Sequence, residues 1–311
     1  MQVDTVPGEP ALRLYHADDE PPADPRRVVL FIHGTTFPAS LASAYRFNDG
    51  SSWMNVTEAA GFDAWALDFA GYGGSERYAE MNQAAGGAPP LGRAPHAAEQ
   101  IARAVEHISR QTRVEKLSLV AHSWGTLPAA RYACAHPARV ERLVLFGPIT
   151  RREVVGHLQA SPAFQDVTLE EQHQRFVESV PEGHPQVLED FERWGREYLA
   201  TDKEAVTREP PAVRIPGGPL ADIMSCWAGY FAYDPAGVRA PVLVVRGEWD
   251  NLCTDADAAW LTARLTSAPD VGDIVIDRAT HLMHLETARH DLYAATSEFL
   301  NEVEAPETRA T

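Results

Sequence analysis

The chain has no run of eighteen apolar residues, and its start, Met1-Gln2-Val3-Asp4-Thr5, lacks the basic region and apolar core of a secretory signal. No membrane partner is implied, and a cytoplasmic protein is expected. Cysteine is scarce: Cys134, Cys226 and Cys253 stand far apart, so neither a disulfide framework nor a zinc ribbon is indicated. Basic side chains are also short, 27 Lys and Arg against 44 Asp and Glu, and a net charge of −17 argues against nucleic acid or an anionic lipid surface as partner. The Gly-x-Gly-x-x-Gly spacing and the Gly-Lys-Ser/Thr of a phosphate loop are missing too. The glycine-rich stretch Asp68 to Ser75 therefore reads as a tight structural loop, and no cofactor is expected.

What is present is enough for a large core: 311 residues, 45% of them hydrophobic. Val28 to Ile32, Ala64 to Leu67, Lys116 to Val120, Val140 to Phe146 and Val242 to Val245 are short apolar runs, the pattern of strands buried on both faces of a parallel sheet. A weaker first strand falls at Ala11 to His16, a loop at Asp18 to Pro25, and a last strand at Asp273 to Ile276. Between the strands, Ala97 to Arg110 has Ile101, Val105 and Ile108 at helical spacing, and helices are expected at Gly125 to His136, Asp255 to Thr266 and Arg289 to Glu304. Met81 to Pro95, with Gly86-Gly87 and Pro89-Pro90, is expected to be a mobile surface loop.

This alternation predicts a mostly parallel central sheet flanked by helices. It breaks between about residues 148 and 237, where no apolar strand run occurs and helices are expected at Thr168 to Val180, Gln186 to Ala200 and Leu220 to Phe231. The expected organisation is a core in two parts, 1–147 and 238–311, with a helical cap, 148–237, over the carboxyl edge of the sheet.

One serine lies where strand chemistry changes to helix chemistry. In Ala121-His122-Ser123-Trp124-Gly125 small residues stand two before and two after Ser123, as a sharp strand-to-helix turn with an exposed hydroxyl requires. Such a nucleophile needs a base, an orienting acid and amide donors. His281 is the expected base, with His284 its rival, and Asp250, just after a strand, is the expected acid. His281-x-x-His284-x-Glu286 also has the look of a metal pair, but no third His or Cys is indicated nearby, and no metal is expected. Asp255 and Asp257 read as caps of the following helix. Gly34, ending the run before Thr35-Thr36, would let the following amides face a ligand.

In the order Ser123, Asp250, His281, and in the strand end at His33-Gly34, the loop Asp68 to Ser75, the serine turn and Gly247-x-x-Asp250, the sequence resembles the α/β-hydrolase fold family in its capped, esterase- and lipase-like branch. The resemblance covers nearly the whole chain. It implies an oxyanion hole from the backbone N–H groups of Thr35 and Trp124, with Thr36 as alternative second donor. Serine at the turn disfavours relatives that use aspartate there, and His33-Gly34-Thr35-Thr36-Phe37 departs from the proline iminopeptidase pattern. The implied function is hydrolysis of an ester, lactone, thioester or amide, with acyl transfer, carbon–carbon bond hydrolysis or ligand binding without turnover as alternatives. Phe191, Trp194 and Tyr198, like Met224, Trp227 and Phe231, fall on one helical face. Such stripes are more often core, yet a cap with few strands has little core of its own. Trp194, Trp227 and Phe231, together with Thr36 and His122, are therefore the candidates for contact with a small, hydrophobic, neutral substrate.

Overall fold

A computed structural model describes residues 1–16, 27–153, 161–184 and 190–302. The loop expected at Asp18 to Pro25, the start of the helix expected from Gln186 and the end of the one expected to Glu304 lie outside the described residues. The chain opens with β1 (Gln2–Val6) and β2 (Leu12–His16), the first with no apolar run to announce it. There follow β3 (Arg27–Ile32), α1 (Trp53–Ala59), β4 (Phe62–Asp68), α2 (Ala94–Thr112), β5 (Leu117–His122), α3 (Thr126–Ala135) and β6 (Val140–Phe146). The chain then leaves the sheet for β7 (Phe164–Thr168), α4 (Leu169–Val177), α5 (Phe191–Ala200), β8 (Ala212–Pro216) and α6 (Gly218–Trp227). It returns as β9 (Val242–Gly247), α7 (Asp255–Thr262), β10 (Val271–Ile276) and α8 (Arg289–Asn301).

Eight strands form one sheet in the order β1-β2-β4-β3-β5-β6-β9-β10, antiparallel across β1-β2-β4 and parallel from β4 onward. The period of two in each apolar run explains why it is buried twice over. Val28, Leu30 and Ile32 of β3 join the core cluster that holds Ile101 of α2 and Leu127 of α3. Val29 and Phe31 face the other way, with Trp53 of α1 and Leu292 of α8. β5, β6 and β9 divide in the same manner, Leu119, Leu145 and Val244 on the first face and Val120, Phe146 and Val245 on the second. Full burial of each such side chain contributes roughly 1.5–3 kcal/mol, so the central strands anchor the domain.

From β3 the chain goes to β4 on one side and then crosses to β5 on the other, so the two strands beside β3 are entered in opposite directions. A crevice opens outside the carboxyl ends of strands where the order reverses in this way. The loops after β3 and β5 meet there.

The segment between β6 and β9 is not purely helical. β7 and β8 pair antiparallel, with Asp166 opposite Arg214 and an ion pair of 2.7 Å between them. Such a ribbon, wet on one face, alternates apolar and polar residues and offers no continuous apolar run to find. The segment also has more core than expected: Phe176, Trp194 and Tyr198 are fully buried and belong to the main core cluster. The loop expected to be mobile at Met81 to Pro95 is tied down by this segment. Ala163 N–H donates to the Ala85 carbonyl at 2.8 Å, Leu91 N–H to that of Ala163 at 3.1 Å and Gly218 N–H to that of Leu91 at 2.7 Å. Among the described residues no helix is long and apolar enough to cross a membrane.

Asp68, at the end of β4, fixes the loops around the crevice. Its buried carboxylate accepts from the Tyr15 hydroxyl at 2.8 Å, from Ala39 N–H at 2.8 Å and from Gly74 N–H at 2.9 Å. The glycine-rich stretch Asp68 to Ser75 is thus a structural loop, closed by Ser75 Oγ donating to the Asp68 carbonyl at 2.6 Å. Burial raises the Asp68 pKa to about 6 against the pull of these donors. Asp68→Ala strands three donors, of which the Ala39 N–H is buried, and is expected to cost roughly 1–3 kcal/mol, read as a fall in denaturation midpoint. A loss under about 1 kcal/mol would show that water replaces the carboxylate and that the loops do not depend on it.

Candidate active site

β5 ends at His122, and the chain turns at once into a short helical turn, Ser123 to Gly125, that feeds α3. Ser123 is one of three non-glycine residues with positive φ among those described, at 55°, a conformation that an L-residue adopts only where the surroundings impose it. Gly125 is part of that imposition. A Cβ there would come within 2.3 Å of the His33 carbonyl oxygen, so only glycine lets the turn pack against the end of β3. Ala121, in place of the usual flanking glycine, fits in the core with no exposure.

The loops after β9 and β10 bring two further side chains to Ser123. His281 Nε2 lies 2.7 Å from Ser123 Oγ, and His281 Nδ1 lies 2.9 and 3.0 Å from the two oxygens of Asp250. The carboxylate can only accept, so Nδ1 carries the proton and Nε2 offers its lone pair to the hydroxyl. Asp250 is itself held by the N–H groups of Leu252 and Cys253, both at 2.9 Å from Oδ1. Gly147, ending β6 at φ 53°, leaves the space for the ring, since a Cβ there would lie 2.8 Å from it. Asp255 instead pairs with Arg246 at 2.8 Å on the surface. Asp257 closes a capping box with Thr254 and also binds Arg152 and Thr150. Burial opposes its ionisation, but these partners hold its pKa at about 2.

Thr35, Thr36, Gly34 and His122 line the same small pocket as Ser123 and His281, with a volume of about 10 Å³, room for one water. Two side chains orient the backbone there. His33 Nε2 accepts from Phe69 N–H at 3.1 Å, which leaves Nδ1–H to donate to the Gly34 carbonyl at 2.8 Å. Because that carbonyl and the Thr35 N–H belong to one peptide plane and point opposite ways, the imidazole also aims the amide. Tyr72 Oη–H donates to the Thr35 carbonyl at 2.5 Å and pins the next plane. The Trp124 N–H lies in the first turn of its helix, where an amide has no intrahelical acceptor. Its indole Nε1–H donates to Asp222 of α6 at 3.0 Å, and Asp222 also caps α2 through Ala94 N–H at 2.6 Å. The orienting roles of His33, Tyr72 and Asp222 were not read from the sequence, where nothing marks a single His, Tyr or Asp as an orienting group.

His122 donates from Nε2 to the His281 carbonyl at 2.9 Å and stacks on Phe146 with ring centroids 4.4 Å apart. His284 is 1% exposed, enclosed by Phe37, Phe146, Trp53 and His122, and neither ring nitrogen has a hydrogen-bond partner. Burial drops its pKa to about 3 and that of His122 well below normal, so both stay neutral. Glu286 is turned to Thr280, accepting from its N–H at 3.1 Å and from its hydroxyl. His281, His284 and Glu286 therefore do not converge, and among the described residues no group of three His, Cys, Asp or Glu is placed to hold a metal.

The cap residues expected at the pocket are elsewhere. Trp194 donates to the Leu41 carbonyl at 3.2 Å and stacks on Tyr198, Trp227 lies under Arg152, and Phe231 packs on Tyr233 and Trp260. None is among the residues lining the pocket of Ser123. A helical aromatic stripe here is core, because it is the apolar face that attaches the segment to the sheet. The side chain that the segment between β6 and β9 brings to the pocket is Arg175 of α4, a cation where a neutral apolar wall was expected.

A parallel sheet with these loops at its carboxyl edge makes the protein an α/β-hydrolase. The chain belongs to the serine aminopeptidase family S33 (Hydrolase_4), whose family model matches residues 23–288. Among solved structures it is similar to 2-hydroxy-6-oxo-6-phenylhexa-2,4-dienoate hydrolase from a Rhodococcus species, with 17% identity, TM-score 0.61 and 96% of this chain and 99% of that one covered. It is also similar to a monoacylglycerol lipase from Paleococcus ferrophilus (21% identity, TM-score 0.57, 92% and 98% covered). A third is the carboxylesterase CesB from Bacillus subtilis (15% identity, TM-score 0.60, 97% and 92% covered). At these identities the likeness shows the fold. No curated protein matches the chain in sequence.

Glu286 supplies a test of the loop that carries His281. Burial raises its pKa from 4.5 to about 7, outweighing the two bonds from Thr280. A carboxyl whose folded pKa is raised contributes most below its unfolded value, so this contribution is lost as pH rises from about 4.5 to about 7. Glu286→Gln, which keeps the neutral shape, is expected to gain in melting temperature relative to wild type between pH 5 and pH 8. A constant difference across that range would show that Glu286 is ionised throughout.

Proposed function

We propose that the protein is a serine hydrolase in which Ser123 attacks the carbonyl of a small acyl substrate, an ester, thioester, lactone or amide. His281 takes the serine proton from Oγ, and Asp250 holds the imidazole in the required tautomer and stabilises the imidazolium. Attack forms the Oγ–carbon bond and places negative charge on the former carbonyl oxygen, which the N–H groups of Thr35 and Trp124 receive. His281 then returns its proton to the leaving group, giving an acyl-enzyme. Water, deprotonated by the same imidazole, releases the acid product and regenerates Ser123. The observation that carries this reading is the line of contacts at 2.7 Å from Ser123 to His281 and 2.9 Å from His281 to Asp250, at a serine held with φ 55°.

In this reading residues 148–237 act as a cap. It is supported by α4, whose Gln172 exchanges hydrogen bonds with Thr36 beside Ser123, at 3.3 and 3.4 Å. The similar structures bear the names of a dienoate hydrolase, a lipase and a carboxylesterase, which agrees with hydrolysis of small acyl compounds.

Ser123→Ala is expected to fold normally and to lose at least about 10⁴-fold in turnover of a 4-nitrophenyl ester, and a fluorophosphonate should label wild type at Ser123 alone. Asp250→Asn should lose turnover as a folded protein while Asp255→Asn stays near wild type. His281→Ala should abolish turnover, with His284→Ala acting through stability. Retention of turnover by folded Ser123→Ala refutes the serine mechanism, and labelling of Ser123 without turnover of any acyl substrate turns the reading to a binding protein of the same fold.

A further inference from the structure

Arg175 and Arg13 are both half-buried arginines of this acidic chain to which no side-chain carboxylate among the described residues is paired, and of the two only Arg175 lines the pocket of Ser123. Arg93, Arg152, Arg208, Arg214 and Arg246 each meet a carboxylate. Arg175 is half-buried and has no hydrogen bond or ion pair among the described residues. Glu171 and Glu178, on the same helix, are exposed and act on it only through space. A desolvated guanidinium without a partner is costly, and a chain with 44 carboxylates has ample means to supply one.

Its position follows from how α4 is seated. Thr168 and Glu171 close a capping box that starts the helix. One turn on, Gln172 is fully buried against Thr36, and Phe176 is fully buried 5.3 Å from Trp194. Residues 172, 175 and 176 share one helical face, so the contacts that seat Gln172 and Phe176 direct Arg175 to the same side. There it lines the pocket of Ser123, His281, Gly34 and Thr35.

We infer that Arg175 is the specificity-determining residue of this site and receives a carboxylate of the substrate, so that the enzyme acts on acyl compounds bearing a carboxylate a few bonds from the scissile carbonyl. The inference rests on the hydrolase reading above. A single guanidinium matches a monoanion in charge and a carboxylate in fork geometry, whereas a phosphate dianion would call for a second cation. Among the described residues no other Lys or Arg lines the pocket. The short span follows from Arg175 and Ser123 lining one small pocket, of about 10 Å³. A substrate enters by displacing the Arg175 side chain, which then pairs with its carboxylate. In a molecule of net charge −17 the cation also offsets the repulsion that an anionic substrate meets on approach.

The test compares 4-nitrophenyl hydrogen glutarate with its neutral methyl ester, in wild type, Arg175→Met and Arg175→Lys. The ratio of kcat/KM for the charged over the neutral ester should fall about 10- to 100-fold in Arg175→Met, the loss expected of one charge-assisted contact, and recover in part in Arg175→Lys. A ratio unchanged in both variants, for this pair and for the one that follows, overturns the inference. A second pair, 3-carboxyphenyl and phenyl butyrate, moves the carboxylate to the leaving group. A ratio that falls only there still supports Arg175 and places the anion on that side. Calorimetric binding of monomethyl glutarate to Ser123→Ala, with and without Arg175→Met, separates the two readings. Binding that needs Arg175, in a protein whose wild type turns over no ester, thioester, lactone or amide, keeps the carboxylate site and refutes the hydrolase. Turnover of both esters with binding indifferent to Arg175 does the reverse.

Discussion

The site depends on one backbone constraint, the left-handed conformation of Ser123 at φ 55°. Strain of this kind costs on the order of 1–3 kcal/mol and persists only where the surroundings over-determine it. Here β5 is hydrogen-bonded between β3 and β6, so its end cannot shift, and the turn packs on the end of β3 where Gly125 meets the His33 carbonyl. Releasing the turn would move the hydroxyl off the imidazole and the Trp124 amide off the crevice together. The stability of the parallel sheet is thus what holds the reactive geometry.

Around that turn three buried, neutral side chains are engaged in orienting the backbone. His33 aims the Gly34–Thr35 peptide, Tyr72 the next one, and His122 holds the carbonyl of His281. Burial keeps His33 near pKa 4 and His284 near 3, which removes competing charge from the neighbourhood of His281. A neutral imidazole can donate and accept at once, which is what His33 does between Phe69 and Gly34. A protonated one could not accept. The dry shell therefore fixes protonation states as well as positions.

The segment between β6 and β9 completes the pocket from above and is fastened in two ways. Its aromatic residues Phe176, Trp194 and Tyr198 continue the main core, and its polar residues reach the site loops, Gln172 to Thr36 and Asp222 to Trp124. The aromatic face is consumed in attachment. What it presents to Ser123 is a cation, and the chemical character of the pocket is set by Arg175 rather than by the tryptophans that dominate the local composition.

The apolar runs with their period of two determined the central strands and the parallel sheet, because a strand buried on both faces has little freedom to carry anything but Val, Leu, Ile, Phe and Ala. That Ser123, Asp250 and His281 would meet was legible for a related reason: Ser123 and Asp250 follow such strands and His281 follows the parallel edge strand β10, and a parallel sheet brings the ends of its strands to one edge whatever lies between them in sequence. The ribbon of β7 and β8, the edge strand β1 and the tethering of Met81 to Pro95 were not legible, since their pairing depends on partners remote in the chain and their sequences are half polar. Nor could sequence decide between core and pocket for Trp194, or between surface and pocket for Arg175. Both lie on amphipathic helices, and periodicity defines which residues share a face but not what that face meets. Only the docking of α4 on the loop after β3 decides that, through Gln172 and Phe176 packing where the tertiary structure offers them partners.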